Sequence, residues 1–282
     1  MANIPSKVEE RLKAGIKKFQ PVLVAAQKRG ANESDTVIII TGILSEVFGY
    51  DMYSELISEK KISGTFCDIA TKVEESIHYL VEAKAINQEL KDNYVRQAVD
   101  YAAKDKDGAP WVVLTNGVKW QIYKISDARP IVWELVLEID FLSLKHTEPA
   151  DLANLFLLTK ESWVKSALND YYDQWQALSK FSITAVVLGD SVLNLIRREL
   201  KHVSPDVKID DDQIRSVLKN QVLRGDVVND PDGKYNEACK RITKAANKAM
   251  RSKSEKDSSG ETVAIQPPQL PPTATSPAPP AT

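Results

Sequence analysis

The apolar positions divide the chain into a stretch where helical and strand periods alternate and a later stretch with the helical period alone. Val8, Leu12, Ile16 and Phe19 recur at helical spacing, which predicts an amphipathic helix over 7–20, stopped by Pro21. Asn32, Glu33, Ser34 and Asp35 are cap candidates for a second helix. Its apolar positions run Val37, Ile38, Ile39, Ile40, Ile43, Leu44, Val47 and Phe48, with Gly49 placed to end it. Apolar around most of its circumference, this helix is expected to be buried. Residues 53–63 read as a strand carrying Glu55, and 65–71 as a second. A charged turn over 72–75 leads to a third at 76–85. In the third strand Ile77, Tyr79, Val81 and Ala83 share one face, and Leu80, Glu82 and Lys84 share the other. Residues 87–104 predict a helix with Leu90, Tyr94, Gln97 and Tyr101 on one stripe. Strands at 111–115 and 118–123 flank Asn116-Gly117, a type I′ hairpin signal, and 131–139 adds another. Helix, three strands, helix and further strands predict an α/β fold with a mixed sheet between helices, rather than a doubly wound parallel sheet.

Beyond Asp140 only helices are expected, at 149–159, 160–178, 184–202, 211–224 and 234–251, with Asp210, Asp211 and Asp212 capping one start. The predicted organisation is a first domain over 1–145, an all-α domain over 146–251 and a tail over 252–282. The tail ends QPPQLPPTATSPAPPAT and should be disordered with polyproline II character.

Composition adds constraints. Of 282 residues, 43% are hydrophobic and 27% charged, enough apolar material for a real core. The formal net charge of −2 leaves nucleic-acid binding to a local patch rather than to bulk charge. One candidate patch is Lys234, Lys240, Arg241, Lys244, Lys248, Arg251 and Lys253, interrupted by Glu237 alone. It reads either as a track for a phosphate backbone or as a solvated helix face. Cys67 and Cys239 follow no metal-ligand spacing, and the chain starts with no signal peptide, so a reducing cytoplasm is expected. No apolar run is long enough for a membrane span; the run from Val37 is broken by Thr41 and Gly42. No G-x-x-x-x-G-K-[ST] loop occurs, so no ATP motor is encoded here.

The candidate chemistry lies in the second and third strands. A hairpin between them brings Asp68 beside Glu82, with Lys84 two residues further on. Two close carboxylates repel each other unless a cation sits between them. Mg²⁺ accepts one or two carboxylates together with water and phosphate oxygens. A lysine beside such an ion orients or deprotonates the attacking water. The same residues also fit a surface ion pair between Glu82 and Lys84 at a strand end. Glu33 either leans over the sheet or compensates its helix dipole. Gln97, polar on an apolar stripe, either serves the site or sits at a half-wetted edge.

Taken in order, these pieces resemble the PD-(D/E)xK nuclease superfamily, specifically the N-terminal nuclease domain of type I restriction-enzyme motor subunits and its stand-alone relatives. The matching pieces are Asn32-Glu33, Gly49-Tyr50-Asp51, Glu55, Asp68, Val81-Glu82-Ala83-Lys84, Gln97-x-x-x-Tyr101, and Leu114-Thr115-Asn116-Gly117 with Trp120 and Tyr123. The resemblance covers residues 33–140. It implies a restriction-endonuclease-like fold in which Asp68 and Glu82 hold Mg²⁺, with Mn²⁺ as a substitute. It implies that Lys84 assists the water, Glu33 is an auxiliary acid, and Gln97 with Tyr101 positions DNA. The expected activity is restriction-type endonucleolytic cleavage of DNA in defence against foreign DNA, with a homodimer as one possible state. The superfamily contains inactive members, so a silent module that binds nucleic acid or a protein partner, and a repair-type or RNA-directed nuclease, stand as alternatives.

Overall fold

The computed structural model describes residues 4–62, 65–74, 76–104, 109–126 and 131–258. They form two compact units that divide between Gln176 and Ala177.

The first unit is built on a mixed sheet of six strands, in the spatial order of the sequence. The strands are β1 (Leu56–Ile62), β2 (Thr65–Val73), β3 (Ser76–Ala83), β4 (Trp111–Thr115), β5 (Lys119–Ile125) and β6 (Trp133–Asp140). All neighbours are antiparallel except β3 and β4. That parallel pair needs a crossover, which α3 (Asp92–Lys104) supplies. Helices α1 (Ser6–Arg29) and α2 (Glu33–Glu46) contribute to one apolar core with Ile69, Tyr79, Val81, Trp111 and Trp120. A second core, on the opposite face, gathers Val95, Ala98 and Val99 of α3 with Ala70, Leu80, Val112 and Leu114. The sheet is therefore covered on both faces, as the order of helices and strands predicts.

Several local expectations are corrected. Pro21 does not stop α1, which runs on to Arg29 and ends at Gly30 in the left-handed conformation. Proline inside a helix costs about 3 kcal/mol. The turn beyond it buries Leu23 and Ala26 on the same stripe as Leu12, Ile16 and Phe19, which offsets that cost. Helix α2 starts at the expected cap, where Asn32 Oδ1 accepts the Asp35 amide at 2.9 Å. It is buried on one face only, since Ile38 is 70% exposed. The first strand begins at Leu56 rather than Tyr53, because Asp51 closes a turn, accepting the amides of Tyr53 (3.0 Å) and Ser54 (2.8 Å). Glu55 thus precedes the strand and is paired with Lys160. The turn between β4 and β5 is not type I′: Gly117 has φ +83° but Asn116 does not have positive φ. Asn116 Oδ1 instead accepts the amides of Val118 and Lys119, at 3.1 and 2.8 Å.

One expectation yields a stability test. Gly49 sits past α2 at φ +84°, and a Cβ there would lie 2.6 Å from the Arg11 guanidinium. That guanidinium is fixed, donating to Val47 O at 2.9 Å and to Glu161 at 2.8 and 2.7 Å. Gly49→Ala must strain the backbone and displace this clamp together, so a loss of about 2–4 kcal/mol is expected in urea unfolding. A loss under about 0.5 kcal/mol would show that the clamp carries little stability.

The helices after β6 divide differently from the sequence reading. Helices α4 (Pro149–Phe156), α5 (Lys160–Val164) and α6 (Ala167–Ala177) bury Leu152, Leu155, Phe156 and Leu168 in the first core, so the unit boundary falls at 176/177 rather than 145/146. The single helix expected over 160–178 is split at Ser166, which has φ +54°. The second unit holds α7 (Lys180–Val187), α8 (Asp190–Val203), α9 (Asp211–Val217), a π-helical turn (Leu218–Val222), α10 (Gly225–Val228) and α11 (Lys234–Ser258). Gly189 breaks the expected 184–202 helix in two. Asp210 caps α9 through a capping box with Gln213, as the acidic run implies. Helix α11 passes its expected end at Arg251; residues 259–282, most of the expected tail, lie outside the described residues. Among the described residues, no helix is long and apolar enough to cross a membrane.

Candidate active site

Strand β3 carries the site, and a bulge sets its facing. Thr71 pairs with Tyr79 but Lys72 with Ile77, so His78 has no partner across the ladder. The extra residue flips the alternation. Ile77 joins the α3-side core while Tyr79, Val81 and Ala83 join the other, which corrects the expected single face for all four. Downstream of the bulge Leu80, Glu82 and Lys84 keep the common side expected of them.

The register Ile69↔Val81, extended by one residue, sets Asp68 opposite Glu82. At that point the Asp68 side chain replaces the ladder, its Oδ2 accepting the Ala83 amide at 2.7 Å. Glu82 and Lys84 are almost fully covered, at 3% and 7% exposure. Lys84 Nζ donates to Glu82 Oε1 at 2.6 Å and to the Ala83 carbonyl at 2.9 Å. This is a buried pair, so the exposed ion pair that the tripeptide alone permits is not what forms. From α2, Glu33 Oε2 lies 3.8 Å from the same ammonium and is itself half exposed. The structure thus brings Asp68, Glu82, Lys84 and Glu33 together.

Gln97 is placed otherwise. It lies on the exposed side of α3, whose buried positions are Val95, Ala98 and Val99, one residue round the helix from the stripe expected. The Tyr101 side chain falls outside the described residues. From α3, Tyr94 reaches the site, its ring centroid 5.3 Å from Lys84 Nζ. Its hydroxyl accepts from Gln88 Nε2 at 2.6 Å, and the Gln88 carbonyl accepts from Asn116 Nδ2 at 2.9 Å. The sequence did place Tyr94 on a stripe of α3, but nothing in it pointed to the lysine. Glu59 of β1 was also missed. It stands opposite Asp68 with φ +50°, and its charge raises the Asp68 pKa.

The electrostatics are those of crowded acids. Burial pushes the Glu82 carboxyl up to about 7; the Lys84 hydrogen bond opposes this, and the charges of Asp68 and Glu33 add to it. Burial also raises Asp68, against the Ala83 hydrogen bond and the Lys84 charge. Lys84 shows the reverse balance: burial disfavours its charge, yet the Glu82 bond and the surrounding carboxylates hold its pKa above the usual lysine value. One ammonium is shared among several acids, and it does not satisfy them.

Among the described residues, no group of three or more His, Cys, Asp and Glu is arranged to hold a metal ion. Asp68, Glu82 and the Ala83 carbonyl nevertheless offer oxygen atoms of the kind Mg²⁺ takes when water and phosphate complete its shell. Burial is the main cause of both raised carboxyl pKa values, and it is the oxygen chemistry of these donors that fits such an ion.

No protein-family model matches the chain, and no curated protein matches it. Two solved structures are similar to it. A cryo-EM structure of a DrdV–DNA complex is 15% identical, over 55% of this chain and 96% of that one, with a TM-score of 0.35. A crystal structure of the type IIG restriction endonuclease BpuSI is 14% identical, over 74% of this chain, with a TM-score of 0.36. This chain spans 29% of the BpuSI chain.

Proposed function

We propose that the chain is a Mg²⁺-dependent phosphodiesterase that cleaves DNA as an endonuclease of the restriction type. The observation that carries this reading is the pairing of Asp68 and Glu82 on adjacent strands, with Lys84 held between Glu82 and the Ala83 carbonyl. A fold needing only stability gains little from burying Glu82 against one lysine with Asp68 partly covered beside it, because the desolvation is not recovered. A phosphodiesterase gains a place for a cation and for a phosphate.

In this reading Asp68 and Glu82 supply carboxylate oxygens, and the Ala83 carbonyl a third ligand. A divalent ion bound there supplies Lewis-acid polarisation of the phosphate and acidifies a bound water. Lys84 holds the attacking water by hydrogen bond and offsets charge gathering on the phosphate oxygens. The Asp68–Ala83 hydrogen bond fixes the carboxylate against the end of β3, so donor and lysine geometry are set by the sheet rather than by a loop. The defence role and the DNA substrate come from the family resemblance of the motifs. Purified protein incubated with modified and unmodified duplex DNA, in Mg²⁺ or EDTA, tests the reading. Cleavage in Mg²⁺ alone is expected. Intact DNA of both kinds, with no Mn²⁺ binding, would leave only a silent binding module.

A further inference from the structure

Lys84 stands where a cation would stand. Its Nζ bonds Glu82 Oε1 at 2.6 Å and the Ala83 carbonyl at 2.9 Å, two of the three oxygens that the proposed function assigns to the ion. Both contacts are shorter than or equal to an ordinary charge-assisted hydrogen bond, and both atoms are covered from solvent. An ammonium and a divalent ion cannot share those oxygens. Two other groups surround the ammonium without belonging to that pair: Glu33 Oε2 at 3.8 Å, from α2, and the Tyr94 ring at 5.3 Å, from α3.

We propose that Lys84 is a built-in competitor for the cation site, and that Glu33 with the Tyr94 ring is the dock that receives its ammonium when a divalent ion enters. This rests on the proposed metal-dependent reading and changes the role of one residue within it. Glu33 acts through Lys84 rather than as a direct ligand. The arrangement follows from chain geometry. Glu33 lies in the first turn of α2, its carboxylate near the end of β3, and Lys84 is the first residue past that strand. A short swing then exchanges the buried pair with Glu82 for a more exposed pair with Glu33, while the ring keeps a favourable contact with the charge. Displacing the ammonium costs affinity, so the parent site binds divalent ions more weakly than its carboxylates alone allow.

Calorimetric titration of the full chain with Mn²⁺ alone, without DNA, reads this directly. Lys84→Met should tighten Mn²⁺ binding tenfold or more. Glu33→Gln in the parent should weaken binding three- to tenfold, because the displaced lysine loses its receptor. Glu33→Gln added to Lys84→Met should change affinity less than twofold. Lys84→Gln, which keeps a donor for Glu82, serves as the folding control and should fall between parent and Lys84→Met. Unchanged affinity in both Lys84 variants overturns the competitor. Equal weakening by Glu33→Gln with and without Lys84 overturns the dock and makes Glu33 a direct ligand. No Mn²⁺ binding to the parent or either Lys84 variant overturns the metal-dependent reading itself, a result distinct from the other two.

Discussion

On the proposed reading, Glu82→Gln is expected to lower Mg²⁺-dependent DNA cleavage about a thousandfold or more and to remove the thermal stabilisation expected from Mn²⁺. That stabilisation is about 2.7 kcal/mol at a hundredfold excess over Kd. Asp68→Asn does the same to cleavage. The two variants part company in the absence of metal. Repulsion between carboxylates alone predicts that removing either charge helps the fold. The structure separates them, because Glu82 is the direct partner of a buried lysine and Asp68 is not. Asp68→Asn keeps an oxygen for the Ala83 amide and sheds a charge that burial and the charges of Glu33 and Glu59 disfavour. Its metal-free stability should equal or exceed that of the parent. Glu82→Gln leaves the Lys84 ammonium buried beside a neutral amide, a loss of up to ~3 kcal/mol. Urea unfolding in EDTA and in Mn²⁺, run on both variants, reads the four values. If both variants cleave DNA within tenfold of the parent, the site is structural.

The second large effect is an acid transition centred on His78. Burial holds its pKa down at about 3, from an ordinary value of 6.5. The imidazole is fully covered, packed at a tilt against Trp163 and Tyr79 with ring centroids 4.4 and 4.6 Å away, and bonded through Nδ1 to the Tyr50 hydroxyl. Its Nε2 has no hydrogen-bond partner among the described residues. The folded state resists protonation, so the unfolded state binds more protons below pH 6.5. Stability from this group is present above pH 6.5 and is lost as pH falls toward 3. The loss is about 2.7 kcal/mol by pH 4.5 and about 5 kcal/mol near pH 3, at 1.36 kcal/mol per unit. Glu82 and Asp68 work in the opposite direction, since their raised pKa values favour the fold as pH drops. The comparison with His78→Phe isolates the histidine. The variant keeps a ring against Trp163 and leaves the Tyr50 hydroxyl within 3.3 Å of the Leu158 carbonyl. Its stability should fall less than the parent's between pH 7.5 and 4.5, by about the same 2.7 kcal/mol. Parallel losses in the two proteins would show that water reaches the imidazole.

Much of the architecture was legible because local pattern and burial agree. Alternation in 65–71 and 76–85, and β-rich runs at 111–115 and 118–123, marked strands, and the helix between the third and fourth made their parallel pairing possible. The proximity of Asp68 to Glu82 followed from the hairpin alone, and Lys84 joined them because residues two apart in a strand share a side. Elsewhere the competition was tertiary. Pro21 reads as a stop until Leu23 and Ala26 are seen to be buried beyond it. Ser166 and Gly189 look like ordinary interior positions of long helices, yet the chain turns there so that successive short helices bury their own apolar faces. The bulge at His78 has no sequence mark, since a single inserted residue leaves both flanking patterns intact while reversing the face of Ile77. For Gln97 the sequence left open a site role or a half-wetted edge, and its exposed position on α3 agrees with the edge, because adjacent stripes of a helix differ by only one residue. The sequence by itself determined the elements and the three residues that two adjacent strands bring together. Tertiary structure alone decided that Glu33 and Tyr94, from helices on opposite faces of the sheet, meet Lys84, and that the lysine is buried. Contacts between distant elements depend on how the helices pack, and no local period records that.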